Sequence, residues 1–112
     1  MSRPKLLTFL GDSRLALKLF PFEARKRAGR QLDLVQRGEE PSDWKPMNSV
    51  GSGVREIRIR DETGIYRVIY VTKIADRVFV LHCFQKKTQR TAGPDIELAK
   101  RRYKDLIRDY SR

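Results

Sequence analysis

The chain has 112 residues, with 25 Lys+Arg against 14 Asp+Glu, so its formal charge is +11 at pH 7. That length fits one domain, residues 1–112, and leaves no room for a second; 39% apolar content suits a modest core and argues against a disordered chain. No run approaches the ~18 apolar residues of a membrane span, Met1–Lys5 does not lead into a secretory h-region, and Cys83 with His82 is too little for a disulfide or a zinc site. A cytoplasmic protein without metal or cofactor is the expectation.

In chain order, Lys5–Leu10 (KLLTFL) reads as a short first strand. Gly11-Asp12-Ser13 is turn chemistry that can cap a helix over Arg14–Phe20, which Pro21 stops. Pro21 then suits the first turn of a second helix running to about Gln36. Ala24, Ala28, Leu32 and Val35 form its buried stripe, and Gly38 stands where a C-terminal cap belongs. Glu39–Gly53 shows Gly and Pro breakers and no period, so it is expected to be a loop, anchored on the core by Trp44 and Met47.

From Val54 the pattern turns to strand. In Val54–Arg60, Ile57 and Ile59 point one way and Glu56, Arg58 and Arg60 the other. Asp61–Gly64 is a hairpin turn, and Ile65–Lys73 and Arg77–Gln85 are β-branched, aromatic strands. Lys86–Gly93 is a polar connector. Pro94-Asp95 opens a last helix with the stripe Ile96, Ala99, Tyr103, Leu106 and Tyr110. The predicted order is β-α-α-β-β-β-α: an α+β domain, with a small antiparallel sheet, helices packed on one face and the other face left for function.

The charge surplus should attract polyanions. Residues 1–53 carry ten basic and six acidic groups, and residues 54–112 carry fifteen and eight. Local clusters lie at Arg25-Lys26-Arg27 with Arg30, at Lys86-Lys87 with Arg90, and at Lys100–Arg102 with Lys104. For the first and third, a solvated helix face and a phosphate contact are equally good readings. No phosphate-binding loop, dinucleotide fingerprint or Ser-His-Asp set is present, and His82 reads more readily as a semi-buried strand residue than as a general base.

Arg67 interrupts an otherwise apolar strand. Two readings stay open: an ion pair with Glu56 across the hairpin, or a guanidinium presented to phosphate. Arg55, Arg58 and Arg60 beside it, with Lys86, Lys87 and Arg90 at the end of the next strand, would form a basic cup if they converged. Such a cup can bind RNA. It can also cut it, with the 2′-hydroxyl attacking the adjacent phosphate while cations stabilise the developing charge and a crowded lysine of lowered pKa handles a proton.

Gly64-Ile65-Tyr66-Arg67-Val68-Ile69-Tyr70 resembles the G-x-Y-R-x-x-Y strand of RelE-superfamily toxins. Val54–Arg58 before it, Val80–Thr88 after it, and Leu32–Gly38 leading to Pro41 and Lys45-Pro46-Met47 are similar to the HigB branch, the phage-derived-protein-like toxins of type II toxin–antitoxin modules. The resemblance spans roughly residues 6–107. It implies a RelE-like fold and a metal-independent, ribosome-dependent mRNA endoribonuclease that inhibits translation. It also implies a co-encoded helix-turn-helix, HigA-like antitoxin, through which alone operator DNA is bound. By position it assigns Arg67 to the scissile phosphate and Lys86 and Lys87 to the basic end of the last strand, with Arg58 and Arg60 near the basic positions of the preceding one. Where superfamily members end in a catalytic Tyr or His, this chain ends in a basic helix, so His82, Lys86 and Lys87 are the candidates for general base. The alternatives are a non-catalytic RNA-binding or phage accessory module on the same fold, and a structural partner of the antitoxin.

Overall fold

A computed structural model describes residues 3–87 and 92–111. The strand β1 (Leu6–Phe9) is followed by α1 (Ser13–Lys18) and α2 (Phe22–Gln36), then by β2 (Trp44–Pro46), β3 (Arg55–Asp61), β4 (Gly64–Ile74), β5 (Arg77–Lys86) and α3 (Gly93–Tyr110). The five strands form one sheet in the order β1-β5-β4-β3-β2.

α2 buries Ala24, Ala28, Leu32 and Val35, the stripe its 3.6-residue period dictates. Gly38 ends the helix at φ +81°, a conformation glycine adopts without Cβ strain. With α1, the stripe packs on Ile57, Ile59, Tyr66, Val68, Tyr70, Val78 and Val80, one face of the sheet. Removing Leu32, 1% exposed, would cost about 2–5 kcal/mol by the usual large-to-small penalty.

Three features differ from the sequence expectation. β2 lies inside the segment read as loop: Trp44, Lys45 and Pro46 pair antiparallel with Ile57, Glu56 and Arg55. Three residues are too few to show a period, and Pro46 is tolerated because the strand is an edge. Met47 is buried as expected, whereas Trp44 is only half-buried. Second, the sheet is mixed, since β1 runs parallel to β5, with Leu6 opposite Arg77 and Phe9 opposite Val80. Helices α1 and α2 and strands β2 to β4 separate the two in sequence, and such a crossover permits parallel pairing.

Third, helices cover both faces. Residues on the other face of the central strands, Ile69, Val71, Phe79, Leu81 and, past a register shift in β5, Phe84, form a second core with Ala99 and Leu106 of α3 and with Met47, Val50 and Val54. A stripe as apolar as that of α3 must find an apolar surface, and β4 and β5 supply one on each side. Arg102 clamps the helix down, donating to the Leu81 carbonyl (2.8 Å) and to Asp12 (2.6 Å).

Candidate functional site: a cation cluster on the α3 face of the sheet

Strand pairing decides which side chains meet. On the face that carries α3, three rows cross the sheet: Lys45, Glu56, Ile69 and His82; then Arg58, Arg67 and Phe84; then Arg60, Ile65 and Lys86. The charged members come from all four strands: Lys45 of β2, Glu56, Arg58 and Arg60 of β3, Arg67 of β4 and Lys86 of β5. Gly64 at φ +145° closes the hairpin that sets this register, and Asp61 accepts the Thr63 N–H at 2.7 Å inside the turn.

Glu56 is fully buried at the centre. Its Oε1 lies 3.2 Å from Arg67 Nε and 3.8 Å from Lys45 Nζ. Of the two readings of Arg67, the ion pair across the hairpin is the one the fold realises, and at 3% exposure the guanidinium is not presented to solvent. Burial lowers its pKa and the Glu56 carboxylate opposes that shift; arginine keeps its charge in either case. Arg58, half-buried, sets Nε 3.7 Å from Asp43. The Lys86 ammonium is held below the usual lysine range, first by loss of solvation and then by the charges of Arg67, Lys45 and Arg58, with Glu56 pulling the other way. Among the described residues four cations, Lys45, Arg58, Arg67 and Lys86, thus share this patch with the carboxylates of Glu56 and Asp43, leaving a local positive excess.

The remaining candidates divide. Arg60 is exposed on this face, in the row of Lys86. Lys87 is exposed just past the end of β5. Arg55 does not join the cluster: as a neighbour of Glu56 it points to the opposite face, where NH1 pairs with Glu40 at 2.7 Å and the guanidinium lies 4.0 Å over the Trp44 ring. Arg90, and Thr88 of the motif, lie outside the described residues. His82 is buried, stacked on Phe84 with ring centroids 5.0 Å apart, and its Nε2 is 2.7 Å from Asp95 Oδ1. An ionised carboxylate only accepts, so Nε2 donates; Nδ1 is buried with no hydrogen-bond partner among the described residues. His82 thereby ties the first turn of α3 to β5.

Sequence reasoning missed Lys45, hidden in a strand too short to signal itself, and Asp95, which was read only as a helix opener. Among the described residues no group of three His, Cys, Asp or Glu is arranged to hold a metal, and no helix is long and apolar enough to cross a membrane.

Fold and site together define a small basic α+β domain whose sheet carries a cation cluster on one face. A model of the family described as phage-derived protein Gp49-like (DUF891) matches residues 16–104, most of the chain, and the chain belongs to that family. No curated protein matches it.

Proposed function

We propose that this protein is the toxin of a type II toxin–antitoxin pair, of the HigB kind, acting as a metal-independent endoribonuclease on ribosome-bound mRNA. The observation that carries the reading is the convergence of Lys45, Arg58 and Lys86 around the Arg67–Glu56 pair on one sheet face. Membership of the Gp49-like family and the resemblance of the Arg67 strand to RelE-superfamily toxins support it.

In this reading the part-exposed Arg58 and Lys45, with Arg60 beside them, hold the RNA backbone, and Lys86 faces the scissile phosphate. Cleavage forms the P–O2′ bond as the 2′-hydroxyl loses its proton to solvent and breaks the P–O5′ bond, with charge stabilisation on the phosphoryl oxygens and a proton for the leaving 5′-oxygen. A lysine crowded by three cations gives up its proton more readily than a free one, so Lys86 suits the last two roles. Arg67 is a positioning residue: it neutralises Glu56, and the pair sets the floor on which Lys45 and Lys86 stand. His82 positions α3 through Asp95. A helix-turn-helix antitoxin of the HigA kind is the expected partner, covering the cationic face and linking the pair to operator DNA; the cytoplasm, where mRNA and ribosomes are, is the expected location.

The test is expression of the chain in cells, with growth followed and transcripts mapped by primer extension. Growth arrest with cuts in codon register is expected, and Lys86→Ala should abolish both while keeping the wild-type thermal transition. Arrest without cleaved transcripts, or salt-sensitive RNA binding without cleavage or arrest, would reject the nuclease in favour of a binding module. Neither toxicity nor RNA affinity would leave only a structural partner of the antitoxin.

A further inference from the structure

A second cationic site lies round the corner from Lys86. Beyond Arg58, whose N–H still donates to the Asp43 carbonyl at 2.8 Å, the edge of β3 is open, and α2 passes beside it. Between them is a groove of about 210 Å³ whose lining includes Arg27, Arg30, Arg58 and Arg60. No carboxylate lines it; its other residues are Gln31, Ser42 and Ile59. Two of its parts are held in place. Arg27 NH1 donates to the Arg60 carbonyl at 2.6 Å, tying α2 to the strand edge. Gln31 accepts the Ser42 N–H at 2.6 Å and donates to its hydroxyl at 3.2 Å, fixing the loop against the helix. Among the described residues neither Arg30 nor the Arg60 guanidinium has an ion-pair partner.

We infer that this groove binds the phosphodiester backbone of the RNA segment flanking the one held at Lys86, an inference that rests on the function proposed above. Continuity favours it. Arg58 lines the groove and also adds to the positive field on Lys86, and Arg60 shares a sheet row with Lys86. A strand leaving the Lys86 face therefore meets the groove next. Spacing favours it too. Arg58 and Arg60, two residues apart on a strand, stand about 6.6–6.8 Å from each other, and Arg27 and Arg30 are one helical turn apart on the facing wall. Two regular rows of planar donors suit a polymer with evenly repeated charge better than a single anion. The track also has an end: beyond Arg27 the adjoining cavity is lined by Glu23, Asp61 and Glu62, which would repel the backbone.

The test is fluorescence anisotropy with 2′-O-methyl oligoribonucleotides, which cannot be cut, of about three and about twelve residues, lengths that bracket the smallest single-strand footprints. Wild type should bind the longer one more tightly. The double variant Arg27→Ala/Arg30→Ala should lower the salt slope for the longer one by about 1.4, two contacts at ~0.7 each, which at ~0.1 M salt is roughly a twenty-five-fold loss of affinity. Binding of the short one should not change, and Arg27→Lys/Arg30→Lys should restore most of the loss. A wild type that ignores the short oligonucleotide refutes the proposed function itself. If wild type binds it, the groove is refuted alone by a double variant that matches wild type on the long RNA, or that weakens both lengths equally. Polyglutamate displacing the long RNA in wild type but not in the double variant would assign the groove to an acidic polypeptide and overturn the RNA reading.

Discussion

Truncating Arg67 tests what the cluster is built on. Glu56 is fully buried, with Arg67 Nε at 3.2 Å and Lys45 Nζ at 3.8 Å. Arg67→Met removes the guanidinium 3.2 Å from a buried carboxylate. Breaking a buried pair from one side costs about 3–5 kcal/mol, and because Glu56 keeps other contacts, Lys45 among them, this case falls near 3 kcal/mol. For a chain of 112 residues that corresponds to a drop in melting temperature of roughly 12 °C. Replacing both partners, Arg67→Met with Glu56→Leu, removes the buried charge as well and should return stability to within about 1 kcal/mol of wild type. Urea unfolding of wild type, both single variants and the double variant, followed by circular dichroism, gives the coupling energy directly. A cost under about 1 kcal/mol for Arg67→Met, or a double variant no more stable than the single, contradicts a buried Arg67–Glu56 pair. The double variant serves a second purpose: being folded, it shows whether lost cleavage follows from the missing pair or from unfolding.

The other expectations concern titration and packing. If Lys86 donates its proton, cleavage needs the ammonium form, which is present below its pKa and lost as pH rises through it. Because that pKa lies below 10.5, the alkaline limb of the single-turnover rate should start lower than a free lysine predicts, and Lys86→Arg should remove the limb; an identical limb in the variant rejects the assignment. Burial pushes the Cys83 thiol up to about 12, so near neutral pH it stays protonated, and disulfide reagents should label native protein only at the rate of unfolding; prompt labelling contradicts that burial. A Cβ at Gly51 would run into the Tyr103 ring, whose hydroxyl is held by the Ser52 carbonyl at 3.1 Å. Gly51→Ala should therefore destabilise by about 1–3 kcal/mol of overpacking in thermal melts, and Gly51→Ala with Tyr103→Leu should recover much of it.

Much of the fold is legible in one dimension because its signals are local. The α2 stripe, the Gly38 cap, the β3 alternation and the β3–β4 turn each depend on residues a few positions apart, and each stands where periodicity placed it. The helices on both faces were half-written as well: β4 and β5 are apolar at successive positions, which a sheet covered on one side does not need. β2 was illegible because its strand character comes from its partner, not from its own three residues.

Sequence alone determined that the chain is a small, strongly basic α+β domain and that Arg67 and Glu56 were available to pair. It also determined that lysines and arginines crowd the ends of the last strands, since composition and short-range period carry that information. Only the tertiary structure decided which of those charges meet. Register brought Lys45, Arg58 and Lys86 onto the face of Glu56, and burial chose the Glu56 ion pair over the phosphate contact for Arg67, making it the floor of the site. The physical reason is that a side chain's neighbours across a sheet are set by pairing between distant segments, and a shift of one residue in that pairing moves every charge to the other side.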